Sequence, residues 1–93
     1  MTQKIQIKTI ISGKVQGVFF RFETKKTADK LGVKGYVKNL TNNDVEAVFQ
    51  TEKKTMEQMI QWCHKGSKAS IVENVQTINI PILSDFQSFE IRY

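Results

Sequence analysis

Two runs of apolar residues at helical spacing, each closed by a glycine, interrupt a chain that otherwise alternates with a period of two. The first puts Phe20, Thr24, Thr27, Ala28 and Leu31 on one face and Glu23, Lys25, Lys26, Asp29 and Lys30 on the other, and stops at Gly32. The second, from about Lys53 to Lys65, places Met56, Met59, Ile60 and Cys63 at i, i+3, i+4 and i+7, and stops at Gly66. Such spacing predicts two amphipathic helices, α1 and α2, each with an apolar stripe to bury.

The remaining segments supply the surface those stripes need. Ile5, Ile7, Thr9 and Ile11 alternate with Gln6, Lys8 and Ile10, as in a strand with one buried face. Tyr36, Val37 and Leu40 form a short second strand, and Val45, Ala47 and Phe49 alternate with Glu46, Val48 and Gln50 in a third. Thr41-Asn42-Asn43-Asp44 joins these two, and asparagine tolerates the left-handed backbone of a tight turn. Ser67 to Asn74 reads as a connection, Val75 to Ile82 as a strand closed by Pro81, and Phe89, Ile91 and Tyr93 as a short last strand. The order β-α-β-β-α-β with an additional short C-terminal strand predicts an α+β, ferredoxin-like sandwich: a mainly antiparallel sheet with two helices on one face. A right-handed β-α-β crossover makes the first two strands parallel with the third between them. Arg21, at the head of α1, and Asn39, near the end of the second strand, then converge on one edge.

At 93 residues and 40% hydrophobic, the chain has room for one domain, 1–93, with one core. Met1-Thr2-Gln3-Lys4 leads directly into the first strand, with neither a signal-peptide start nor a membrane-length apolar run, so a cytoplasmic protein without membrane association is expected. The one cysteine, Cys63, forms no internal disulfide and no metal cluster, in keeping with a reducing compartment. Its apolar helical position suits core packing, as do those of Met56 and Met59. A net charge of +5 favours anionic partners, but the lysines are scattered and only Arg21 and Arg92 are arginines, which fits a solvated surface better than a nucleic-acid stripe.

One segment concentrates the chemistry. Gly13-Lys14-Val15-Gln16-Gly17-Val18-Phe19-Phe20-Arg21 follows a strand and delivers the chain into a helix N-terminus. Unpaired backbone N–H groups and the positive end of the helix dipole suit a phosphate there. Gln16, Gly17, Val18, Phe19 and Phe20 are the candidate N–H donors. Arg21 adds a permanent charge able to hold two phosphate oxygens, and it stands where a cation otherwise opposes the dipole. Neither the Walker A pattern nor the dinucleotide fingerprint is satisfied, since the following Lys-Ser/Thr and the third glycine are missing.

Gly13-x-Val15-Gln16-Gly17-Val18-x-Phe20-Arg21, then Gly32-x-x-Gly35-x-Val37-x-Asn39 and Val45-Glu46, closely resembles the acylphosphatase signature. Trp62 with Gly66, and Phe89-x-Ile91-Arg92-Tyr93, extend the likeness over nearly the whole chain. The resemblance implies metal-free hydrolysis of an acyl phosphate to a carboxylate and inorganic phosphate, without a cofactor. It also implies phosphate binding by Arg21 and the 15–21 loop, and a water positioned by Asn39. The partners expected are that small-molecule substrate and its products, for a monomer with no nucleic acid. Asn42-Asn43 replaces the family's common Asp-Gly turn, and Ser67 its common proline.

Such chemistry needs few side chains. The leaving carboxylate is a weak base and requires no strong acid. Phosphoryl transfer depends mainly on positioning and on charge stabilisation at the equatorial oxygens. The only histidine, His64, sits with Lys65 at the end of α2, where cations favour the dipole. An RNA-recognition module has the same element order but needs aromatics on the central strands, and the third strand offers only Phe49, on its buried face. A non-catalytic phosphate sensor could use the same loop.

Overall fold

The computed structural model describes residues 3–93, so Met1 and Thr2, read above as leading into the first strand, lie outside the described residues. The chain comprises strands β1 (Lys4–Lys14), β2 (Lys34–Asn39), β3 (Val45–Glu52), β4 (Ile71–Asn79) and β5 (Phe89–Arg92), with helix α1 (Phe20–Leu31) between β1 and β2 and helix α2 (Lys53–Lys65) between β3 and β4. They form one sheet in the order β4-β1-β3-β2-β5. β1 pairs antiparallel with β3 and β4, and β2 antiparallel with β3, while β5 lies parallel to β2. The α+β ferredoxin-like expectation therefore holds, with the extra strand at the β2 edge.

Both helices bury their apolar stripes on one face of this sheet. Phe20, Thr24 and Ala28 of α1 are buried, as are Met56, Met59 and Cys63 of α2. They meet Ile11, Val37, Val45, Ala47, Phe49 and Phe89 in one core. Gly32 ends α1 in the left-handed region (φ 76°), with its N–H donating to the Ala28 and Asp29 carbonyls. At the β2–β3 turn, Asn43 takes the left-handed backbone (φ 74°) expected of asparagine.

Leu40 and Tyr93, read as strand residues, fall just outside β2 and β5, and the sheet departs from the sequence reading more widely in two other places. β4 begins at Ile71, inside the stretch read as a connection, and stops at Asn79 rather than Ile82. It is an edge strand exposed along most of its length, so no alternation marks it. Its start is set by pairing with Gly13 and Lys14 across a register shift in β1. A side chain at Gly13 would run into the Ile71 carbonyl and the Glu73 amide. The second departure is β3, which is buried on both faces over Val45–Thr51. Residues 80–88 cross the helix-free face: Gln50 donates to Ser84 O at 3.0 Å and accepts from the Phe86 N–H at 3.1 Å.

Candidate active site

The chain leaves β1 at Lys14 and enters α1 at Phe20 through a loop anchored by three buried side chains. Val15, Val18 and Phe20 are buried, and Phe20 packs against Trp62 with ring centroids 5.4 Å apart. Between these anchors the backbone turns sharply. Gly17 (φ 75°) and Phe19 (φ 63°) both occupy the left-handed region, and Phe19 caps α1 without a side-chain hydrogen bond. Nothing lies within 4 Å of where a Gly17 side chain would start, so glycine serves the backbone conformation there and leaves the loop open to solvent. Among the described residues, the N–H groups of Gln16, Gly17, Val18 and Phe19 find no intramolecular acceptor, as expected of a helix entry without a side-chain cap.

Three non-local hydrogen bonds hold this loop. The Gln16 Nε2 donates to the carbonyls of Leu40 and Asp44, each at 2.8 Å, tying the loop to the β2–β3 turn just past Asn39. From the opposite side, the buried Ser67 hydroxyl donates to the Val18 carbonyl at 2.8 Å. Sequence reasoning counted Gln16 only as a backbone donor and Ser67 only as a departure, because both partners are distant in sequence.

Arg21 and Asn39 line one cavity of about 360 Å³ together with Val15, Gly17, Phe19 and Phe20, and with Ile91 from β5. Asn39 is the last residue of β2, and its Oδ1 is buried with no hydrogen-bond partner among the described residues. An orphaned buried carbonyl oxygen is costly and calls for a donor. The Arg21 guanidinium forms no ion pair with a carboxylate among the described residues; it makes a long contact of 3.5 Å to the Arg92 carbonyl and lies 4.9 Å from the Tyr93 ring centroid. Its charge is thus left to face the cavity. Phe19 and Phe22 also line it, 76% and 57% exposed, so neither belongs to the core. Ile91 and Tyr93 join the wall because β5 runs parallel to β2, a placement the periodicity did not reveal. Phe49 is wholly buried and stacks on Phe89 at 5.9 Å, so it offers no surface for a base.

A family model for acylphosphatases matches residues 7–91, which takes in the loop, Asn39 and the start of β5. The chain belongs to the acylphosphatase family. It is 40% identical over 90 residues to an acylphosphatase of Rubrobacter xylanophilus, covering 97% of this chain and 82% of the relative. An acylphosphatase of Anaeromyxobacter dehalogenans is 36% identical, with both chains covered completely. Among solved structures, an acylphosphatase from Coxiella burnetii superposes with a TM-score of 0.91 at 38% identity, over 99% of this chain and 100% of the other. One from Bacillus subtilis does so at 0.92 and 29%, over 96% and 99%. Hydrolysis of acyl phosphates is the family's activity, and the chain is an enzyme of this hydrolase class. Of its departures from the common acylphosphatase pattern, Asn42-Asn43 keeps the tight turn through Asn43, and Ser67 adds a hydroxyl that proline lacks.

Proposed function

We propose that this acylphosphatase cleaves the carboxyl–phosphate bond of acyl phosphates without a metal, holding the phosphate in the 15–21 loop and orienting the attacking water through Asn39. The observation that carries this reading is the pairing, around one cavity, of an Arg21 guanidinium without a carboxylate and a buried Asn39 Oδ1 without a donor. The N–H groups from Gln16 to Phe20 and the Arg21 guanidinium stabilise the charge that spreads over the equatorial phosphate oxygens. A water donates one hydrogen bond to Asn39 Oδ1 and attacks phosphorus. The bond to the acyl oxygen breaks with its electron pair leaving on the carboxylate. Asn39 is a neutral amide and takes no proton near neutral pH, so a phosphate oxygen accepts it. The same reading treats residues 1–93 as one domain acting as a cytoplasmic monomer.

The test is hydrolysis of an aryl acyl phosphate in excess chelator by wild type and Arg21→Gln. Wild type is expected to retain full activity in chelator, and the variant to lose at least about 10²–10³-fold. Wild-type activity that disappears with chelation overturns the metal-free mechanism, and an active Arg21→Gln overturns the role of the guanidinium.

A further inference from the structure

The bond between Ser67 and Val18 has a geometry that reaches into the loop. Ser67 is 6% exposed, and its hydroxyl contacts Val18 O at 2.8 Å across 49 positions of sequence. Val18 O shares a peptide unit with the Phe19 N–H, and in a trans peptide the two point in opposite directions. With the carbonyl held inward on Ser67, the Phe19 N–H is directed to the cavity side.

That orientation runs against local preference. Phe19 sits at φ 63°, ψ 22°, a region unfavourable for a bulky residue without glycine's freedom. Turning over the Val18–Phe19 peptide would carry Phe19 out of the left-handed region while the buried Val18 and Phe20 side chains stay in place. The turned peptide would present a carbonyl oxygen, in place of an N–H, to whatever occupies the loop. For an anion this exchanges attraction for repulsion.

We propose that Ser67 is a positioning residue for phosphate: its hydroxyl, by holding the Val18 carbonyl, keeps the Phe19 N–H facing the anion. The inference rests on the reading that this cavity binds a phosphate group. The bond acts a second time by polarising the peptide, which strengthens Phe19 as a donor. Ser70 provides the matched comparison, because its hydroxyl donates to Ser67 O at 2.7 Å within the same turn and, among the described residues, makes no hydrogen bond to the loop.

The experiment compares wild type, Ser67→Ala, Ser67→Thr and Ser70→Ala. Inorganic phosphate is titrated while the Phe19 amide resonance is followed, kcat and KM are measured with benzoyl phosphate, and thermal unfolding is recorded for each. Ser67→Ala is expected to lose roughly five- to tenfold in phosphate affinity, the effect of one lost hydrogen bond, with KM rising by the same factor and a smaller phosphate-induced shift at Phe19. Ser70→Ala, and Ser67→Thr with its retained hydroxyl, are expected to stay within about twofold of wild type on those readouts. Wild-type phosphate affinity in Ser67→Ala overturns the proposal, as does an equal loss in Ser70→Ala, which would mark a merely structural turn. A wild type that neither binds phosphate nor hydrolyses the substrate instead sinks the reading of the cavity itself.

Discussion

Asn39 and Arg21 divide the candidate site by chemistry. A charged fork anchors an anion from either state of a reaction, whereas a neutral carbonyl oxygen matters only where a donor must be aimed. Asn39→Ala is therefore expected to lower kcat by about 10²-fold while leaving the dissociation constant of inorganic phosphate within about twofold. Arg21→Gln is expected to damage both. Calorimetric titration of phosphate beside steady-state kinetics separates the two, and matching losses of phosphate affinity would remove the assignment of water to Asn39. Gly17 tests the backbone alone. An alanine there meets no neighbour within 4 Å but must hold φ 75°, so Gly17→Ala is expected to lose about 1–2 kcal/mol in urea unfolding, without a packing defect.

Elements that bury a single face were legible in the sequence, whereas β3, buried on both faces, was legible as a strand but not in its second buried face, and β4, buried on neither, only from Val75 to Asn79. α2 is the clear case, since Met56, Met59 and Cys63 sit on one stripe and all three are buried. Burial also pushes the Cys63 thiol up to about 12. Its labelling by a thiol reagent at pH 8 is accordingly expected to wait for opening of the helix and to become rapid only in denaturant; fast labelling of native protein would contradict that packing. β4 shows the opposite case, because an exposed edge strand carries no periodic signal and its first residues pair only by virtue of the Gly13 irregularity in β1. β3 hid its second buried face, which depends on residues 80–88 that have no regular structure. Around the cavity, Arg21 and Asn39 were readable from motif and crossover geometry. Ile91, the Gln16 amide and the Ser67 hydroxyl were not, because each depends on a contact made only after the chain has closed.

At the scale of the whole molecule, the helix-free side of the sheet carries a charge network of its own. Tyr36 donates to Glu46 Oε2 at 2.8 Å, Lys8 and Lys38 lie 3.4 and 3.8 Å from the same carboxylate, and the Arg92 guanidinium covers the Tyr36 ring at 4.0 Å. Burial alone would raise Glu46, but the Tyr36 hydrogen bond and the two lysines outweigh it and hold the carboxyl below its ordinary value. A carboxyl depressed in the folded state stabilises the fold above the unfolded value, near about pH 4.3, and loses that contribution as pH falls through the folded one. Glu46→Gln is thus expected to be less stable than wild type by about 1–2 kcal/mol at pH 7, with the gap narrowing towards pH 3, as urea unfolding at both pH values would show. Tyr36, pushed up to about 12 by burial and then by the Glu46 carboxylate, stays a donor throughout that range. The parallel placement of β5 beside β2 has a consequence for synthesis. The loop, Arg21 and Asn39 leave the ribosome early, but Ile91 in the cavity wall follows every other element. A nascent chain halted before Phe89 carries Arg21 and Asn39 with one wall of their cavity missing, so the cavity closes only when β5 is added, long after its two polar side chains have been made.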